Sequence, residues 1–173
     1  MAITISGSGI TSANIADGTI VNADVNSSAA IDASKLTGTG KVLQVVNHID
    51  TGTTSITTTT WTDTGLSLSI TPSSTSSKIL VLTAPSIGAV SSSPNGFGGM
   101  RVMRDASSIS STERIDLYSQ YNHHTYSIDI LDSPATTSAV TYKVQIKSHS
   151  SGITMDCSHH TNQQSITLME IGA

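Results

Sequence analysis

The 173 residues predict an all-β protein, a jelly-roll-like antiparallel β-sandwich preceded by a short, repeat-like N-terminal segment. Three observations carry this. The chain holds 30 Ser and 25 Thr, and Thr favours strands while Ser, with Gly, favours turns and resists helix. From Lys41 onward the apolar residues alternate with a period of two, and no stretch there shows the 3.6-residue period of an amphipathic helix. Turn-forming clusters separate these stretches at regular intervals, as in sandwiches and barrels.

Residues 1–40 have a different character from the rest. They contain no aromatic residue, and they carry an aliphatic nearly every fifth position: Ile10, Ile15, Ile20, Val25, Ile31 and Leu36. Ala13, Gly18 and Ala23 each stand two places before one of these. Neither helix nor strand has a period of five, but a chain that turns a corner after each pentapeptide does. "ANIAD", "GTIVN" and "ADVNS" resemble pentapeptide-repeat proteins, in which four such units close one coil. Three good units and a broken one close nothing alone, and repeats bury their apolar face only against neighbours. The six aliphatics are therefore assigned to anchoring or trimerisation, the alternative being a low-complexity arm with no fixed structure. "AAIDASKL" has room for a helical turn or two, and "TGTG" (37–40) is a natural hinge. The domain division is thus 1–40, an anchoring segment, and 41–173, a β-sandwich head.

Within the head, "KVLQVV" opens a strand with Val42, Gln44 and Val46 on one face. "SITTTTWTDTG" carries the single Trp, Trp61, and "LSLSIT" places Leu66, Leu68 and Ile70 opposite serines. The "PSSTSS" turn leads into "KILVLTA", apolar on both faces and so a central strand. "SSSPNGFGGM" reads as a long loop with Phe97 at its apex, because one Pro, one Asn and three Gly crowd into ten residues. "RVMRD", "RIDLYSQY", "YSIDIL", "VTYKVQIKS", "ITMDCS" and "SITLMEI" supply further strands, about nine in all.

Composition also excludes classes of function. A net charge of −4 with scattered Lys and Arg argues against nucleic acid. No apolar run reaches membrane-spanning length and the N-terminus has no charged and apolar leader, so folding in a cytoplasm without membrane insertion is expected. The lone Cys157 forms no intrachain disulfide and reads as a half-buried strand residue. One Trp, one Phe and four Tyr make a thin core, which suggests that some apolar surface is buried between chains.

"KVLQVV", "WTDTGLSLSITPSSTSSKILV", "LDSPATTSAVTYKVQ" and "SITLMEIGA" resemble the C-terminal domain of bacteriophage tail-fibre and related virion structural proteins. The leading "ADGTI…NADV…AAIDASKL" resembles the segment that precedes that domain. The middle, about Ile87 to Tyr126, is the least similar. The resemblance implies a homotrimer assembled in the host cytoplasm and located on the virion. Its N-terminal part would be attached to another virion protein, of the tail, baseplate or capsid, with a β-rich head facing outward. Extended shafts are characteristic of long fibres and are lacking here, so the expectation is a short trimeric tail fibre for host-surface attachment. The alternative is a capsid head fibre or decoration protein.

Candidate ligand-binding residues are Tyr118, Tyr121, His123, His124, Tyr126 and Phe97. "YSQYNHHTY" concentrates three of the six aromatics, and aromatic faces flanked by polar groups suit the C–H faces and hydroxyls of host glycans. The competing role for those tyrosines is to fill an interface between protomers. His123-His124 and His159-His160 do not make a metal site as strand neighbours, since adjacent residues point to opposite faces. No cofactor and no metal is expected. Nor is an enzyme: glutamates occur only at positions 113 and 170, the ten aspartates are scattered, and no nucleophile motif has its local context. Arg101, Arg104, Asp105, Glu113, Arg114 and Asp116 are expected to form cross-strand charge pairs on neighbouring strands.

Overall fold

The alternating stretches pair as antiparallel strands in the computed structural model, which describes residues 41–89, 96–117, 123–158 and 162–172. The six N-terminal aliphatics, "AAIDASKL" and the "TGTG" hinge lie outside the described residues. Among the described residues twelve strands run in order: β1 (Val42–Asp50), β2 (Thr54–Ile56), β3 (Thr62–Ile70), β4 (Lys78–Ala84), β5 (Ser86–Ala89) and β6 (Gly96–Arg104). There follow β7 (Ser107–Leu117), β8 (His123–Thr125), β9 (Ile128–Asp132), β10 (Val140–Ser148), β11 (Met155–Cys157) and β12 (Gln164–Ile171). Among the described residues there is no helix.

Hydrogen bonding arranges them as three four-stranded ladders, β1-β12-β4-β9, β3-β10-β6-β7 and β2-β11-β5-β8. The third ladder continues the first strand for strand, because β2 follows β1, β5 follows β4, β9 follows β8 and β12 follows β11 in the chain. The two are one sheet broken along a line, and the twelve strands reduce to eight in two four-stranded sheets. That is the jelly-roll architecture. The breaks have local causes. Asp50 Oδ1 accepts the Gly52 amide at 2.9 Å, turning the chain after β1. Pro85 separates β4 from β5, and its carbonyl accepts the Tyr126 amide at 3.0 Å. Ser158, at φ 57°, ends β11 with its amide on the Ser86 carbonyl at 2.7 Å.

The core lies between the β1-β12-β4-β9 and β3-β10-β6-β7 layers and holds Leu66, Ile79, Val81, Val102, Tyr142, Val144, Ile146, Ile166 and Leu168. β4 is central, between β12 and β9, as its two apolar faces require. Three expectations change. The stretch read as a loop enters β6 at Gly96. Its glycines admit neighbours and do not loosen the backbone: a Cβ on Gly98 would overlap Met155 Sδ and stand 2.5 Å from the Lys147 carbonyl. Phe97 is therefore a strand residue and not a loop apex. The third change is at β1, where a register shift between Val42 and Gln44 takes Val42 off the face that Gln44 and Val46 share.

Candidate functional site

The two outer faces of the sandwich differ chemically. On the β3-β10-β6-β7 sheet, strand register aligns polar residues in rows: Asp63–Gln145–Arg101–Ser111, and Lys147 opposite Gly99. Arg101 Nε donates to Gln145 Oε1 at 2.7 Å, and Gln145 Nε2 donates to Asp63 Oδ1 at 2.6 Å. Lys143 Nζ meets Asp63 at 2.9 Å, and Lys147 Nζ meets Glu113 at 2.5 Å. Partial burial favours protonation of Asp63, but bonds from Lys143 and Gln145 outweigh it and lower its pKa.

The Trp61 ring lies on this lattice, with Arg101 Cζ and Lys147 Nζ each 4.6 Å from its centroid. It fits because Gly99 has no side chain; a Cβ there would come within 3.0 Å of the indole. Phe97 occupies the next row, stacked on His149 at 3.8 Å between centroids and covered by Arg114 Cζ at 4.4 Å. Arg114 in turn meets Asp116 at 2.6 Å. Both rings are thus held against cations, and the Phe97 faces are occupied by its own chain. Trp61 and His149 were not among the sequence candidates, and only the rarity of Trp pointed to the former.

The charge pairs differ in partner from those expected. β6 and β7 are neighbours, but Arg104 faces inward and crosses to Asp132 on β9, at 2.9 and 2.7 Å. The buried Tyr142 hydroxyl donates to the same carboxylate at 2.7 Å, tying the two sheets together. The Asp132 hydrogen bond raises the Arg104 pKa; burial and the same carboxylate raise that of Tyr142. A second inward carboxylate, Glu170, is fully buried. It accepts the Ser73 amide at 2.8 Å, the Ser73 hydroxyl at 2.6 Å and Gln44 Nε2 at 2.6 Å, fastening the β3–β4 turn to β1 and β12. Burial would raise its pKa, but these hydrogen bonds win and hold it at about 2.

The histidine-rich segment is split by strand alternation. His123 faces Gly88 across the β5–β8 ladder, its ring in the space a Cβ would take. Asp156, buried on β11, stands opposite Gly88 in the same row. His124 is exposed, and its ring meets Tyr126 edge to face at 6.4 Å. Tyr126 packs against the core. Tyr118, Tyr121, His159 and His160 lie outside the described residues. Among the described residues no three His, Cys, Asp or Glu side chains gather as metal ligands, and no helix is long and apolar enough to cross a membrane.

The outer face of the β1-β12-β4-β9 sheet is the richer in exposed aliphatic side chains. Val42, Leu43, Val45 and Ile49 on β1 and Leu131 on β9 are the exposed large hydrophobics among the described residues, each about half exposed. Register joins Val45, Met169, Leu80 and Leu131 in one row across all four strands.

No family model and no curated protein matches the chain. Among solved structures it is similar to a chain of infectious bursal virus-derived T=1 particles, at 9% identity and a TM-score of 0.43 over 84% of this chain and 40% of that one. It is also similar to the infectious bursal disease virus VP2 subviral particle, at 8% identity and a TM-score of 0.38 over 76% of this chain and 38% of that one. The chain spans about two fifths of the length of either neighbour.

Proposed function

We propose that this chain is a non-enzymatic virion structural protein, a short trimeric bacteriophage tail fibre that attaches the particle to a host surface. Residues 1–40 hold it to another virion protein and residues 41–173 form the outward head. The reading starts from the resemblance of the chain's β-strand strings and leading segment to phage fibre proteins. The observation that carries it furthest is the two-faced jelly roll: one outer face is a lattice of mutually satisfied charges suited to water, the other an apolar sheet suited to protein. Four of the carboxylates, Asp63, Glu113, Asp132 and Glu170, are engaged by partners of the same chain.

Host contact is assigned to the edge at β8, where His124 is exposed beside Tyr126 and next in the chain to Tyr118 and Tyr121. Phe97 lies on β6 of the other sheet, and its ring, covered by His149 and Arg114, does not offer a free face. Individually weak sugar contacts become firm when three chains and many copies engage together. The test is binding of the isolated full-length protein to host cells. The wild type is expected to bind, and Tyr121→Ala with His124→Ala is expected to lose binding while keeping the fold. Failure to bind cells, with binding to expanded capsids and a gain in their heat resistance, would establish the decoration role instead.

A further inference from the structure

We infer that the outer face of the β1-β12-β4-β9 sheet is the surface on which copies of this chain pack against one another. The five exposed large hydrophobics of the described residues, Val42, Leu43, Val45, Ile49 and Leu131, all belong to this sheet. None is on the β3-β10-β6-β7 sheet. Leu80, Leu82 and Met169, half-buried, fill the space between β1 and β9, so the apolar surface is continuous across the four strands. Five half-exposed aliphatic side chains present on the order of 400 Å², comparable with the largest patch on a typical monomer and about half of the ~800 Å² each partner gives to a standard interface.

The chemistry of the occupant follows from the face. A nucleic acid or a charged glycan is held through charged and hydrogen-bonding groups, whereas the row Val45–Met169–Leu80–Leu131 is aliphatic from edge to edge of the sheet. Polar groups stand in the neighbouring row, Asn47–Thr167–Leu82–Asp129, in which Asn47 and Thr167 bond to each other at 2.8 Å. A flat, aliphatic sheet face is satisfied by another flat, aliphatic sheet face. A second copy of this chain supplies one at equal concentration and in a fixed number. Chain order agrees: the forty residues that carry the aliphatic spacing end at Gly40, β1 begins two residues later at Val42, and β1 bears four of the five exposed hydrophobics. The inference deepens the trimeric-fibre reading and takes the number three from it.

The test uses the full-length chain. By sedimentation equilibrium the wild type is expected at the mass of three chains. Val45→Glu combined with Leu131→Glu, both at outward positions, is expected to weaken association at least a hundredfold and give monomers with an unchanged circular dichroism spectrum. Ser67→Glu, exposed on the opposite sheet, should leave the assembly intact. Cys157 is fully buried, so an introduced thiol reports alone. Val45→Cys is expected to react with a bulky maleimide at least tenfold more slowly than Ser67→Cys, a readout that holds even if the charged variant does not fold. A monomeric wild type, a folded charged variant that keeps the three-chain mass, or equal thiol reactivity would each overturn the inference. None of these would bear on whether the protein sits on virions, which particle labelling decides.

Discussion

Replacing Glu170 by Gln removes a charge that three donors surround. The carboxylate is fully buried and accepts the Ser73 amide, the Ser73 hydroxyl and Gln44 Nε2 at 2.6–2.8 Å. Its pKa falls from an ordinary 4.5 to about 2, which corresponds to ~3 kcal/mol of folding stability held by the ionised form. The sign follows from the depression. The unfolded chain binds the proton more tightly, so this stability is complete above pH 4.5 and is lost as pH falls from 4.5 towards 2. In Glu170→Gln one oxygen acceptor is replaced by an amide that turns its own donors towards Ser73 or Gln44. Equilibrium unfolding in guanidinium, followed by Trp61 fluorescence, is expected to show a loss of ~3 kcal/mol at pH 7. The difference between wild type and variant should shrink as the pH is lowered to 3. A loss under ~0.5 kcal/mol at pH 7, or a difference that does not change with pH, would refute the reasoning.

Three further predictions rest on separate contacts. Gly98→Ala drives a Cβ into Met155 and to 2.5 Å from a backbone carbonyl that cannot move aside, so it should cost more than ~3 kcal/mol and leave little soluble protein on expression. Asp132→Ala strands the Arg104 guanidinium and the buried Tyr142 hydroxyl and should destabilise by ~3–5 kcal/mol in the same unfolding assay; Tyr142→Phe should cost only ~1 kcal/mol. Burial pushes the Cys157 thiol up to about 12, so at pH 8 the folded protein should give no reaction with Ellman's reagent, and one thiol should appear on unfolding.

The strand layout was legible where side-chain alternation alone decides it. "LSLSI" became half of β3 with Leu66 and Ile70 buried, and the two-sided apolar run 78–84 became the central β4. Adjacent histidines on opposite faces also followed, since His123 lies over Gly88 and His124 is exposed. Glycine misled the reading of 96–100. In isolation three glycines signal a loop, whereas here they leave space for Met155, from a strand more than fifty residues later, and for Trp61. The break that divides four strands at one line leaves no mark on the period-two pattern, because alternation resumes on the far side of each turn. The polar clamps were illegible for a related reason. Glu170 meets partners 97 and 126 residues away, and Asp132 binds an arginine assigned from sequence to its neighbouring strand. The aliphatic outer face was not legible, because only the sheet order gathers β1 and β9 residues onto one surface.

The central claim, that this is a fibre of the virion tail, is tested most directly by its position on intact particles. Gold-labelled antibody against residues 41–173, viewed by electron microscopy on particles of the phage proposed to carry the chain, is expected to mark the tail or its base. Label spread over the shell would contradict the tail-fibre account and assign the chain to the capsid, and particles without label would contradict the virion role altogether.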